Sequence, residues 1–160
     1  MNFGEQFVAS AFQSLGYFVI QGLKVGVREA DLLAIKIVNS KFKYYHIEVQ
    51  ISRNPVGVLR AQSRFGKTSN NPMKAAEEYI DKKFFQKDVV KTIKNCFGTS
   101  KYERIFIHGL LREPEQLKVF NDRDIKCLDF KSLAQEANKS SHKTDAFLNF
   151  YDISKLVHLK

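Results

Sequence analysis

Hydrophobic positions near the start of the chain recur at helical spacing: Phe3, Phe7, Val8, Ala11, Phe12 and Leu15, closed by Gly16. Asn2 is placed to cap this helix, with Glu5 at the third helical position as the other half of a capping box. From Tyr17 the period changes to two. Residues 17–21, 30–38 and 42–51 read as strands, with Gly22 and Gly26 as punctuation and Asn39-Ser40 as a turn. Residues 52–72 carry no sustained period, as functional loops often do. Pro72 opens a helical stretch to about Phe97, interrupted near Gln86. Its buried face is Met73, Ala76, Tyr79, Ile80, Phe84, Val90, Ile93 and Phe97. Strands at 102–110 and 125–130 follow, with a short helix at 113–120 between them. Helices near 132–138 and 145–156 close the chain. The order predicts a single α/β domain over residues 1–160, built on a mixed sheet.

Composition narrows the class. The chain has 160 residues, 44% of them apolar, enough for a buried core. Cys96 and Cys127 are too few for a disulfide framework or a cysteine-rich zinc site, and they read as reduced core residues of a cytoplasmic protein. Glu5 and Gln6 interrupt the N-terminus too early for a signal peptide, and no apolar run approaches the ~20 residues that span a bilayer. A membrane role is therefore not expected. The formal net charge is +9, which favours a polyanionic partner such as DNA. The surplus is uneven: residues 1–50 carry a net +1, residues 51–100 a net +6 and residues 101–160 a net +2.

The candidate chemistry sits in the N-terminal third. In the third strand Tyr45, Ile47, Val49 and Ile51 share one face, and Tyr44, His46, Glu48 and Gln50 the other. A carboxylate inside a strand is costly unless solvated or paired, and Asp31 raises the same question in the second strand. A two-residue turn at Asn39-Ser40 pairs Val38 with Lys41. The same register puts Asp31 opposite Glu48, with Cβ atoms about 5 Å apart. Two like charges so placed repel, and a shared divalent cation resolves the conflict. In the bland alternative, Asp31 caps a strand end and Glu48 faces water. His46 lies on the same face and reads either as a contact to metal, water or phosphate, or as a structural histidine.

With Asp31 on one strand, Glu48-Val49-Gln50 on the next and a leading helix carrying Glu5, the chain resembles the PD-(D/E)XK nuclease superfamily. That superfamily includes restriction endonucleases, Holliday-junction resolvases and repair nucleases. The resemblance covers about two-thirds of the chain. It implies a restriction endonuclease-like core, in which a helix precedes a three-stranded antiparallel meander, then a helix and further strands. It also implies that Asp31 and Glu48 bind Mg²⁺, for which Mn²⁺ substitutes, with the Val49 carbonyl as a further ligand. Glu5 matches a glutamate that some members use at the metal, and the capping box explains it equally well. Gln50 departs from the pattern, because lysine is usual there. Glutamine cannot carry charge or act as a base at neutral pH, but it can orient the attacking water.

These expectations combine into a Mg²⁺-dependent DNA endonuclease of restriction, junction or repair type, with Asp31, Glu48 and Gln50 as its catalytic residues. Cleavage of both strands of a duplex calls for two sites and so for a homodimer. Arg53, Arg60, Arg64 and Lys67 follow the third strand and suit phosphate. Lys83, Lys87, Lys91 and Lys94 repeat at i, i+4, i+8 and i+11, one stripe on a helix, which serves either DNA or solvent. The alternative function is a DNA-binding module on the same fold that has lost catalysis.

Overall fold

A computed structural model describes residues 3–51 and 71–140 of the protein. Helix α1 (Phe3–Ser14) leads into strands β1 (Phe18–Val25), β2 (Arg28–Val38) and β3 (Lys41–Gln50). Helix α2 (Pro72–Ile80) continues without interruption into a π-helical segment, Asp81–Phe85, and Gln86 separates that segment from α3 (Lys87–Phe97). Strand β4 (Glu103–His108), helix α4 (Gln116–Asn121), strand β5 (Ile125–Asp129) and helix α5 (Phe130–Ser140) complete the described residues. The Asn2 cap and the helix expected at 145–156 lie outside them.

The five strands form one mixed sheet in the order β1-β2-β3-β4-β5. The first three make an antiparallel meander, and β3, β4 and β5 run parallel. Asn39 and Ser40 both have positive φ (51° and 61°), as a tight two-residue hairpin turn requires, and Val38 pairs with Lys41. The expected hairpin register is therefore the observed one. Its last pair is Leu32 with Ile47, one residue short of Asp31 and Glu48.

Alternation along the strands sorts side chains onto two covered faces. Leu32, Ala34, Tyr45, Ile47, Val49, Ile105 and Ile107 pack under α1 and α5. Leu33, Phe106 and Ile125 pack on the other side, against α2, α3, α4 and the π-helical segment. Asn71 caps α2: its Oδ1 accepts from the N–H of Met73 at 2.9 Å, and Pro72 fills the first helical position. Among the described residues no helix is long and apolar enough to cross a membrane.

Three expectations change. Strand β1 does not stop at Gly22 but runs through it to Val25. The cysteines are not core residues: Cys96 is exposed and Cys127 half-buried, and both are free thiols. The four lysines do not share one helix, because Gln86 has an extended backbone (φ −63°, ψ 135°) that separates Lys83 from Lys87, Lys91 and Lys94.

Gly22 has a φ of +63° and stands where the β1 partner of Asp31 would be, between the pairs Gln21↔Leu32 and Leu23↔Ala30. Only glycine holds that backbone cheaply, and a Cβ there would meet Glu29 Oε1 at 2.7 Å. Gly22→Ala should therefore destabilise the protein by about 1–2 kcal/mol or more, measured by urea unfolding. A variant as stable as the wild type would show that the position tolerates a side chain.

Candidate active site

The register leads directly to the site. Past Leu32 and Ile47 the β2–β3 ladder stops, and the Asp31 side chain replaces it, with Oδ2 accepting from the N–H of Val49 at 2.9 Å. In a strand the N–H and C=O of one residue point to the same side, so the Val49 carbonyl is directed towards β2 as well. Glu48 lies beside Asp31 and is completely buried, and Asp31 is 7% exposed.

Lys83 reaches this pair from the π-helical segment. Its Nζ is 2.6 Å from Glu48 Oε2 and 3.1 Å from Asp31 Oδ1. The lysine expected to face DNA thus turns inward, and the ammonium lies between two carboxylates. The other Glu48 oxygen, Oε1, is 2.9 Å from His46 Nε2. An ion-paired carboxylate only accepts, so His46 donates from Nε2. Its Nδ1, also buried, has no hydrogen-bond partner among the described residues.

Packing holds Lys83 in place through its neighbours. Phe84 is fully buried, with its ring 5.0 Å from that of His46. The Phe85 ring lies under two guanidiniums, those of Arg104 at 4.5 Å and Arg123 at 4.6 Å, and Arg123 also pairs with Asp81 at 2.8 Å. Both ends of the segment are thereby tied to the body of the protein. A single π turn of this kind changes the helical register by one residue, and such turns are frequent at functional sites.

The electrostatics follow from burial and the charge count. Burial first, and then the Glu48 charge, push the Asp31 carboxyl up to about 6. Burial raises Glu48 too, against the pull of Lys83. Burial opposes the charge on Lys83, but Glu48 and Asp31 outweigh it and hold the ammonium above the usual lysine range. His46 is driven down to about 3, chiefly by burial, so it is neutral at ordinary pH. Tyr79, one helical turn before Lys83, is buried with its ring 5.8 Å from Phe106, the β4 neighbour of Glu48. Its hydroxyl has no partner among the described residues and stays protonated, because burial and then the Glu48 and Asp31 charges raise it well above the usual range.

The other expected residues divide. Gln50 ends β3 on the Glu48 face, half-buried, with its carbonyl accepting from the N–H of Gly109 at 3.1 Å. Glu5 is buried on α1, which packs on the Ile47 and Val49 face of the sheet. Among the described residues no three His, Cys, Asp or Glu side chains are grouped to hold a metal ion. Lys87, Lys91 and Lys94 are exposed on α3. Arg53, Arg60, Arg64 and Lys67 lie outside the described residues. Lys83 and His46 are the site residues whose roles sequence reasoning missed. The signal for Lys83 was a lysine on an apolar helix face, at i+4 from Tyr79 and i+3 from Ile80.

No protein-family model and no curated protein matches the chain. Among solved structures it is similar to a protein of unknown function, AF1548, with a TM-score of 0.50 and 19% identity. The match covers 81% of this chain and 59% of AF1548, and at that identity it speaks to the α/β fold alone.

A carboxyl group with a higher pKa folded than unfolded stabilises the fold while protonated. That contribution is complete below the unfolded value near 3.8 and is lost as the pH rises through about 6. An asparagine amide stands for the protonated carboxyl. Without metal, the stability of Asp31→Asn relative to the wild type should rise by about 2–3 kcal/mol between about pH 4 and pH 7. Urea unfolding in the presence of a chelator measures this, and a flat difference would contradict the raised pKa.

Proposed function

We propose that the protein is a metal-dependent nuclease that hydrolyses phosphodiester bonds in DNA, on a restriction endonuclease-like core. The observation that carries the reading is the convergence of Asp31, Glu48 and Lys83. Two carboxylates from adjacent strands direct one oxygen each at a single cationic position. Lys83, reaching in from the helix, brings the positive charge that Gln50 cannot.

The donor set suits Mg²⁺. This ion prefers hard oxygen ligands, commonly uses one or two carboxylates, and keeps several waters or substrate oxygens. Asp31 and Glu48 would hold it, with the Val49 carbonyl on the adjacent backbone. When bound it would lower the pKa of water and stabilise charge on the phosphate. The chain's own residues have separable tasks. His46 fixes the Glu48 carboxylate through Oε1, and the Val49 N–H fixes Asp31 through Oδ2. Lys83 can pair with a phosphate oxygen, and the Gln50 amide can orient water at the open end of β3. The exposed lysines of α3 offer the DNA backbone a basic surface.

Purified protein should nick supercoiled plasmid in Mg²⁺ or Mn²⁺ and not in chelator. Asp31→Ala should reduce the rate by about 100-fold or more, the scale of losing one preorganised group at a reacting centre. Binding to DNA that weakens with salt, without cleavage in any divalent metal, would instead identify a catalytically silent binding module.

A further inference from the structure

All four carboxylate oxygens of the pair have partners, and the partners are of two kinds. Asp31 Oδ2 and Glu48 Oε1 are tied to fixed parts of the fold, the Val49 N–H and the His46 ring. Among the described residues, Asp31 Oδ1 and Glu48 Oε2 instead face the ammonium of Lys83, with Nζ at 3.1 and 2.6 Å, and Glu48 Oε2 is met there by charge without a hydrogen bond. The two oxygens available to a metal are thus the two that the ammonium now occupies. Lys83 also lies on the solvent side of the pair: its side chain is 30% exposed, that of Asp31 10% and that of Glu48 0%. A cation arriving from solvent therefore meets Lys83 first.

Charge balance favours the exchange. Two carboxylates share one ammonium in this buried site, so the pair is short of one positive charge. A divalent cation in place of the ammonium brings the count to zero. The four-carbon stem of lysine lets its head group move several ångströms without disturbing the helix.

We infer that Lys83 is a resident counter-ion that a divalent cation must displace, so that metal binding releases the ammonium towards the incoming phosphate. This rests on the metal-dependent reading above. It adds that metal and lysine compete for the same two oxygens, so that the metal-free protein carries its own plug.

The direct test is titration of Mn²⁺ alone, by calorimetry at pH 8, into the wild type, Lys83→Met and Lys83→Gln, with folding checked by circular dichroism. Both variants should bind Mn²⁺ about tenfold more tightly or better, the scale on which groups around a metal's ligands act, while losing DNA cleavage. Equal or weaker binding in folded variants would overturn the exchange. A second measurement uses the wild type only. Acetylation of Lys83 by acetic anhydride, followed by mass spectrometry, should speed up several-fold on adding Mg²⁺ relative to the other lysines. Unchanged labelling in a protein that binds Mg²⁺ would overturn the exchange and leave the nuclease reading standing. Absence of metal binding by wild type and variants alike would overturn both.

Discussion

The structure around the sheet depends on one ammonium placed between two buried carboxylates. At low dielectric, unpaired charges of this kind are worth many kcal/mol and are tolerated only when partnered. Lys83 supplies that partner from an element far along the chain, and much of the surrounding packing serves to bring it there. The π turn sets its direction, Phe84 fills the space over His46, and Arg104 and Arg123 flank Phe85. One carboxylate is left without a cation of its own, and burial, followed by the Glu48 charge, raises the Asp31 pKa. A cluster kept short of one positive charge is a poor way to stabilise a core.

The fold was legible because local signals agreed with one another. The alternating pattern of β3, the Asn39-Ser40 turn and the apolar spacing of α1 each pointed to the elements observed, and the hairpin register followed from the turn alone. The adjacency of Asp31 and Glu48 is a consequence of that register, which is why a sequence argument reached it. Gly22 misled because glycine in a strand ordinarily marks its end. Here it accommodates a left-handed residue beside Asp31 while β1 continues.

The remainder of the site was not legible because it rests on tertiary packing. Lys83 looked like part of a lysine stripe, a pattern that holds only if α-helical spacing runs across the break expected near Gln86. One π turn and the extended backbone at Gln86 divide it, so that Lys83 faces the sheet while Lys87, Lys91 and Lys94 face solvent. The hydrophobic pattern held a clue, since a lysine on the Tyr79 and Ile80 face must find a buried counter-charge. His46 was ambiguous for the same reason: alternation gives its face but cannot say that α2 and Phe84 enclose that face.

The cation beside Asp31 and Glu48 comes from a helical segment and not from the strand that carries Glu48, which ends in the neutral amide of Gln50. A lysine two residues after Glu48 would be carried by the strand and held at a fixed distance from it. A lysine on the π-helical segment instead approaches the carboxylates from above the sheet, and its position depends on how that segment is held. Its placement is then sensitive to distant groups that never touch the carboxylates, such as Asp81 and Arg123, whose 2.8 Å pair ties the segment to the turn before β5. With the cation supplied from the helical side, β3 can end in a neutral amide. It also makes the charge of the site a property of tertiary packing rather than of a contiguous motif.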